Sequence, residues 1–89
     1  MSNIIRRYQP VPAVTWVVEQ HYIYLIHNQM QISQKLYYPE AALWDLLCRK
    51  RWKVMNRVLS ALLNENQAFT AKWIETTCKL WQQQGWLQG

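Results

Sequence analysis

The residues of this chain that could do chemistry are few and scattered. Its two histidines, His21 and His27, fall in or beside stretches with strand character, and neither has a cysteine or carboxylate at a motif spacing. The five acidic residues are dispersed along the 89 positions, so a paired-carboxylate site is not indicated. Both glycines lie near the C-terminal end, which excludes a glycine-rich phosphate loop. We therefore expect a protein that is not an enzyme and that uses no metal and no cofactor.

The two cysteines, Cys48 and Cys78, lie far apart, and neither has a second cysteine nearby to complete a metal-binding pair. Both fall at apolar positions of predicted helices, where a free thiol packs as a small hydrophobe. The N-terminal residues lack the apolar run of a signal peptide, and no stretch approaches the roughly 18 apolar residues of a membrane span. We predict buried thiols without a disulfide, in a cytoplasmic protein that does not enter a membrane.

The basic residues are concentrated in one segment of the chain. The net charge of the chain is +5, and half of its ten Lys and Arg residues lie between positions 49 and 57. No acidic residue occurs between Leu46 and Asn64, so this basic patch would attract an acidic surface or polymer. An acidic peptide, an acidic face of a partner protein and nucleic acid all fit, as does a solvated helix start without a partner. The basic patch consists of Arg49, Lys50, Arg51, Lys53 and Arg57.

The elements that must position these residues change from strands to helices near the middle of the chain. From Val14 to Tyr38 the sequence is rich in β-branched and aromatic residues, which favour strands. We predict an antiparallel meander of three strands, over 14–19, 22–27 and 32–37. Three helices follow, with Pro39 at the first helical position of the first, the second over 52–64, and the third from position 67 or 70 to 84.

Apolar periodicity and one glycine predict how the helices pack and end. The second helix would bury Val54, Val58, Leu59, Leu62 and Leu63. The third would bury Trp73, Ile74, Thr77 and Trp81. Gly85 can take the left-handed conformation that ends a helix, after which Trp86 and Leu87 would fold back as an apolar clasp.

Three strands followed by three helices predict a small α+β fold, winged-helix-like in its set of elements, with one face of the sheet packed on the helices. Residues 1–13, with two prolines and no periodicity, would form an irregular N-terminal arm, and residues 14–89 a single domain. The predicted strands are apolar on both faces. This suggests that the second face is also covered, by a partner enzyme, by the arm or by a second copy in a homodimer.

Two segments of the chain resemble the PqqD-like family. The segment KLYYPEAALWDLL is similar to the family's connection between its last strand and first helix, and GWL at 85–87 is similar to its C-terminal ending. The chain departs from the family pattern at Tyr37, where the family has Asn, and at Cys48-Arg49, where it has Asp-Gly. The matching positions in the first segment are Leu36, Leu43, Trp44, Asp45, Leu46 and Leu47.

The resemblance implies a peptide chaperone, a recognition element for ribosomally made and post-translationally modified peptides. Such proteins bind the leader segment of a precursor peptide and present it to a modifying enzyme, often a radical S-adenosylmethionine (SAM) enzyme. The leader adds as an extra strand along the third strand and leans on the third helix. The residues implied are Ser33, Gln34, Lys35, Leu36, Tyr37 and Tyr38, with Lys72, Trp73 and Lys79 on the helix, although Trp73 could instead be a core residue.

The edge of a three-stranded meander permits this binding mode on physical grounds alone. Its unpaired N–H and C=O groups can pair with an extended peptide, and neighbouring side-chain pockets can select among peptides. Leu36 would point into the core. Tyr37 and Tyr38 would offer rigid contact surfaces, because a tyrosine ring is apolar while its hydroxyl stays hydrated. Alternatively, both rings only cover the junction between sheet and helix.

Nucleic acid is the rival partner, because a winged helix can place a recognition helix in a major groove. The predicted third helix carries only Lys72 and Lys79 as cations and no arginine to read guanine. The basic patch lies instead between the first two helices. The sequence therefore favours peptide binding, with a winged-helix nucleic-acid-binding protein as the alternative and a structural subunit of another complex third.

Overall fold

A computed structural model describes residues 3–89 and has the α+β fold that the sequence predicts. Its elements are a 3₁₀ helix Asn3–Arg7, β1 Gln9–Pro10, β2 Val14–Val18, β3 Tyr22–His27, β4 Ile32–Tyr37, α1 Glu40–Cys48, α2 Trp52–Leu63, α3 Gln67–Gln83 and β5 Leu87–Gln88. The antiparallel sheet has the order β2-β3-β4, and β1 pairs with β5 in a second, two-stranded sheet. The winged-helix likeness goes no further than this set of elements.

The three-stranded sheet has the predicted strands, although β2 ends one residue early, at Val18. Tyr22 lies opposite Tyr37, and His27 opposite both Ile32 on β4 and Val14 on β2. Because residues directly opposite one another share a face of the sheet, this register places one set of side chains against the helices. That buried set includes Val14, Ile23, Leu25, His27 and Leu36.

The helices begin and end close to the predicted positions, with local chemistry at each end. α1 begins one residue later than predicted, because Pro39 occupies the cap position and its C=O accepts hydrogen bonds from the next turn. α2 ends at Leu63, one residue earlier than predicted, and its C-cap Asn64 adopts a left-handed φ of 55°. α3 is capped by Asn66, whose side-chain oxygen accepts a hydrogen bond of 2.8 Å from the Phe69 N–H.

The end of α3 confirms the predicted glycine cap and clasp. Gly85 has φ of 89°, and the Trp86 N–H donates to the Trp81 carbonyl at 2.9 Å. This pairing satisfies a carbonyl at the end of the helix that would otherwise lack a donor. Trp86 and Leu87 then turn back and are buried.

The N-terminal arm, predicted to be irregular, contains the 3₁₀ helix and β1. Ile5 and Tyr8 are buried in the main core, and β1 pairs with β5 through Pro10 opposite Leu87. The difference has a physical reason: β1 is held by a partner near the other end of the chain, which no local pattern reveals. Residues 1 and 2 of the predicted arm lie outside the described residues.

The buried stripe of α2 differs from the prediction. Met55 and Leu59 are fully buried, whereas Leu62, predicted to be buried, is 51% exposed. The two buried residues are one turn apart, so α2 contacts the core along a single narrow row. The outer positions Val54, Val58 and Leu63 are therefore only partly covered.

The outer face of the sheet is rich in aromatic residues, as the two-sided apolar pattern predicts. Tyr22 and Tyr24 on β3 are half-buried there, and Val17 on β2 is exposed. The arm belongs to the core on the opposite side, through Ile5 and Tyr8. A covering partner protein or second copy of the chain stays a prediction.

The left-handed conformation of Gly85 leads to a prediction about stability. A Cβ at this position would lie 3.4 Å from the Met30 sulfur, so the cost of Gly85→Ala comes mainly from the left-handed φ. We expect the free energy of unfolding to fall by about 1–2 kcal/mol in urea denaturation. The control Gln83→Ala, two residues earlier on the exposed side of α3, should change it by less than about 0.5 kcal/mol. Equal effects of the two substitutions would contradict the role given to the cap.

The environments of the two cysteines lead to a second prediction, about the reactivity of their thiols. Burial, with a smaller contribution from the charge of Asp45, raises the pKa of Cys48 to about 12, and burial together with Glu75 raises the pKa of Cys78 to about 12. Since the thiolate is the reactive form, both should react slowly with Ellman's reagent at neutral pH and rapidly in urea. Cys48→Ser and Cys78→Ser variants assign each rate. Fast reaction of either thiol in the folded protein would contradict this prediction.

Candidate functional site

The outer edge of β4 is unpaired within residues 3–89, because β4 pairs only with β3. The hydrogen bonds at the ends of the sheet show which backbone groups face this edge. The Glu19 N–H donates to Tyr22 O, and the Asn28 N–H donates to Ala13 O, each at 2.9 Å. Backbone groups alternate sides along an antiparallel strand, so the even-numbered residues of β3 face β2 and its odd-numbered residues face β4.

Three residues of β4 direct their backbone groups to the free edge. The odd-numbered residues of β3 lie opposite Ile32, Gln34 and Leu36, which therefore use their N–H and C=O groups to pair with β3. The alternating residues Ser33, Lys35 and Tyr37 then point their N–H and C=O groups away from the sheet. This is the row of donors and acceptors that an added strand requires.

A groove runs between this edge and the C-terminal half of α3, with a volume of about 330 Å³. Leu36 and Trp81, both buried, contribute to its lining. Leu80, which is 49% exposed, gives it an accessible apolar surface. The full lining is Gln34, Lys35, Leu36, Tyr37, Glu40, Thr77, Leu80, Trp81 and Gln84. The β4 edge and this lining together form the candidate site, called the β4–α3 groove below.

The side chains on the outer face of β4 are held in place by their neighbours on β3. The Lys35 ammonium lies 4.8 Å from the ring centroid of Tyr22, in a cation–π contact. The rings of Tyr22 and Tyr37 are 5.8 Å apart. The Tyr24 hydroxyl donates to Ser33 Oγ at 2.9 Å. These contacts fix the side chains of Ser33, Lys35 and Tyr37 along one line beside the free edge.

The two tyrosines at the end of β4 are accessible. Leu36 is 3% exposed and points into the core as predicted, whereas Tyr37 is 56% and Tyr38 52% exposed. Tyr37 lines the β4–α3 groove, and Tyr38 lies beyond the end of the strand. Both rings are therefore accessible to an added strand at this end of β4.

On α3, the residues brought to the groove differ from those implied by the sequence. Thr77, Leu80, Trp81 and Gln84 line it, at the i, i+3, i+4, i+7 spacing of one helix face. Lys72 and Trp73 lie together in a separate depression with Phe69 and Thr76, and Lys79 is exposed outside both. The apolar period predicted Thr77 and Trp81 as buried positions of α3, but not as part of a peptide site. Leu80 and Gln84 carry neither a charge nor a ring, and only their spacing from Thr77 and Trp81 places them on the same face.

The basic patch remains on the surface around the α1–α2 connection. Arg49 forms a salt bridge with Asp45, with Nε 3.0 Å from Oδ1. Lys50, Arg51, Lys53 and Arg57 are exposed. The patch therefore lies apart from the β4–α3 groove, whose lining contains none of its residues.

The two histidines differ in burial and contacts. His27 is 4% exposed, its Nδ1 accepts a hydrogen bond of 3.1 Å from the Met30 N–H, and its ring packs edge-on against Trp86. His21 is exposed between β2 and β3. In the described part of the chain, no three His, Cys, Asp or Glu residues are grouped so that they could hold a metal ion. Among residues 3–89, no helix has both the length and the apolar character needed to cross a membrane.

Comparisons with known proteins return no relative of this chain. No family model matches it, and no match is found among curated proteins or among solved structures. A function has to be inferred from the β4–α3 groove and its surroundings.

Proposed function

We propose that the chain is a non-enzymatic peptide-binding protein, in which an extended peptide adds as a further strand to the free edge of β4. The observation that carries the proposal is the coincidence of unpaired backbone groups with a groove directly beside them. Each of Ser33, Lys35 and Tyr37 offers an N–H and a C=O to a guest strand, which is the main-chain source of affinity in β-augmentation.

Side chains on the two faces of the guest strand would meet different surfaces. Because side chains alternate along a strand, every second one would point into the groove toward Leu36, Leu80 and Trp81. This environment favours an aliphatic or aromatic residue. The intervening side chains would lie on the outer face beside Lys35 and Tyr37, which favours acidic or aromatic residues.

The role that best fits such a site is capture of a precursor peptide by its leader segment. The resemblance of residues 36–47 and 85–87 to the PqqD-like family supports this role. In that case the chain is an accessory protein that presents the leader to a modifying enzyme, for which a radical SAM enzyme is the first candidate. A short precursor gene and such an enzyme gene beside its own gene would support the assignment.

Nucleic-acid binding is the alternative function, and the lining of the β4–α3 groove does not favour it. The face of α3 beside the edge contributes the buried Thr77 and Trp81 and the exposed Leu80 and Gln84 to the groove, without a cation. A groove lined in this way has no positive charge on the helix to pair with phosphates. The edge of β4 supplies one cation, Lys35, which already contacts the Tyr22 ring.

The first test removes one backbone donor from the edge. Lys35→Pro deletes an N–H that points outward, so the pairing of β4 with β3 is kept while a guest strand loses a hydrogen bond and meets the proline ring. Peptides are selected from a random library displayed on phage, and affinities are measured by fluorescence anisotropy. We expect the affinity to fall about tenfold in Lys35→Pro. Lys35→Ala, which keeps the N–H, separates the effect of the side chain.

The matched control for this test lies on the opposite edge of the sheet. Val18 on β2 is 59% exposed and, by the same alternation, directs its N–H away from β3. Val18→Pro should leave peptide affinity unchanged. A loss in Val18→Pro but not in Lys35→Pro would place the guest on β2. Failure to select any peptide, with tight binding of duplex DNA that weakens steeply with salt, would favour the nucleic-acid alternative.

The second test changes the helix side of the groove. Leu80→Asp places a charge where we expect an apolar guest side chain, and the affinity for the selected peptide should fall about tenfold or more. Leu62→Asp is the matched control, because Leu62 is 51% and Leu80 49% exposed, and both lie on helices. Thermal melts should show similar stability for the two variants. Equal peptide affinities would mean that the guest does not contact α3.

A further inference from the structure

A second groove lies between the N-terminal arm, α2 and the start of α3, with a volume of about 690 Å³. Its charged lining residues are Arg6, Lys53 and Arg57, and all three are exposed. Ala68 and Ala71 of α3 line it with small apolar side chains. An adjoining depression shares Arg6 and Lys53 and adds Lys50 and Arg51. Cations from two distant segments of the chain, the arm and residues 50–57, therefore surround one concave surface, called the basic groove below.

Arg6 ties the arm to this surface. Its guanidinium carbon lies 5.5 Å from the ring centroid of Trp52, the first residue of α2. Arginine over a tryptophan face is a favourable cation–π arrangement, which orients the guanidinium while leaving its edge free to donate hydrogen bonds. Arg6 thus adds a sixth cation, from a distant segment, to the five of the basic patch. No acidic residue lines either depression.

We propose that the basic groove binds an acidic segment of a partner polypeptide. Arginine and lysine side chains around a concave surface pair with Asp and Glu carboxylates, and the small lining residues Ala68 and Ala71 leave room for a polypeptide backbone. The charge complementarity of such a site accelerates encounter and orients the partner.

The shape of the basic groove favours an acidic polypeptide over nucleic acid. Duplex DNA is read by a convex element that enters a groove of the duplex, whereas here the cations line a groove of the protein. Single strands bind positively charged grooves in which exposed aromatic rings stack on bases. The one aromatic ring lining the basic groove is Trp52, which is covered by Arg6 and packs against the core.

The basic groove and the β4–α3 groove can be occupied together. Ala68 and Ala71 lie in the first part of α3, whereas Thr77 to Gln84 line the other groove, about 16 Å farther along the helix. At about 100° per residue, the two sets face roughly opposite sides of α3. Binding in the basic groove therefore does not depend on peptide addition to β4. If both occur, the chain holds the acidic segment of the partner and the bound peptide on opposite sides of α3.

The experiment reverses charge in the basic groove and at a matched surface. The probe is a short fluorescein-labelled peptide of Glu, Asp, Ala and Leu, compared with the same peptide carrying Gln and Asn, and with a single-stranded DNA oligonucleotide. Fluorescence anisotropy is measured at low ionic strength with the intact chain. We expect the double variant Lys53→Glu/Arg57→Glu to lose affinity for the acidic peptide by about tenfold or more.

The control Lys72→Glu/Lys79→Glu makes the same change in net charge at exposed positions outside the basic groove, and should lose less than about threefold. If circular dichroism shows that Lys53→Glu/Arg57→Glu is unfolded, the milder variant Lys53→Gln/Arg57→Gln replaces it. It should lose affinity for the acidic peptide in the same direction but by a smaller factor. Equal losses in the two double variants, or equal affinity for the amide peptide, would overturn the proposal. Tighter binding of the oligonucleotide, lost in Lys53→Glu/Arg57→Glu, would assign the groove to nucleic acid instead.

Discussion

The position of α3 relative to the sheet depends on Trp44, which is 0% exposed and packs edge-to-face against Trp16 of β2 and Trp81 of α3, each at a centroid distance of 5.5 Å. Its indole N–H finds no acceptor among the described residues, which costs about 1–3 kcal/mol. Burial of about 200 Å² of ring surface contributes about 5 kcal/mol and outweighs that cost. Because Trp81 also lines the β4–α3 groove, its contact with Trp44 holds one wall of the groove against the core. The groove is therefore a consequence of core packing.

Within residues 3–89, the outer edges of β2 and β4 are both unpaired with another strand, but they are not equivalent. An unpaired edge tends to pair with a second copy of the same chain, and a charged side chain on the edge strand opposes this. β4 carries Lys35, so antiparallel pairing of two β4 strands near this residue would bring like charges together. β2, with the sequence VTWVV, carries no charge. The edge of β4 is thus protected from pairing with a second copy of the chain but stays accessible to a guest strand. The edge of β2 lacks this protection and is more prone to self-association.

Local signals predicted most of the fold and only part of the candidate site. The strand bounds, the Gly85 cap and the inward Leu36 follow from composition and period, which act over a few residues. The pairing of β1 with β5 and the place of Arg6 beside Trp52 depend on contacts between distant segments, so no local pattern contains them. The α3 face toward β4 was missed for another reason: Leu80 and Gln84 are unremarkable residues, and only the position of the helix relative to the sheet gives them a role.

Both grooves are built on α3, and the contacts of α3 indicate that each is preformed. On one side, the Asn56 side chain donates to Gln67 O at 3.1 Å and the Ser60 hydroxyl donates to Thr70 Oγ1 at 2.8 Å, which fixes α2 against the start of α3. On the other side, Trp81 is held by Trp44. A site whose walls are fixed before binding loses little conformational entropy when it is occupied, so the cost of ordering falls mainly on the guest. An extended, flexible peptide suits such a site, because the rigid edge of β4 supplies the geometry that the free peptide lacks.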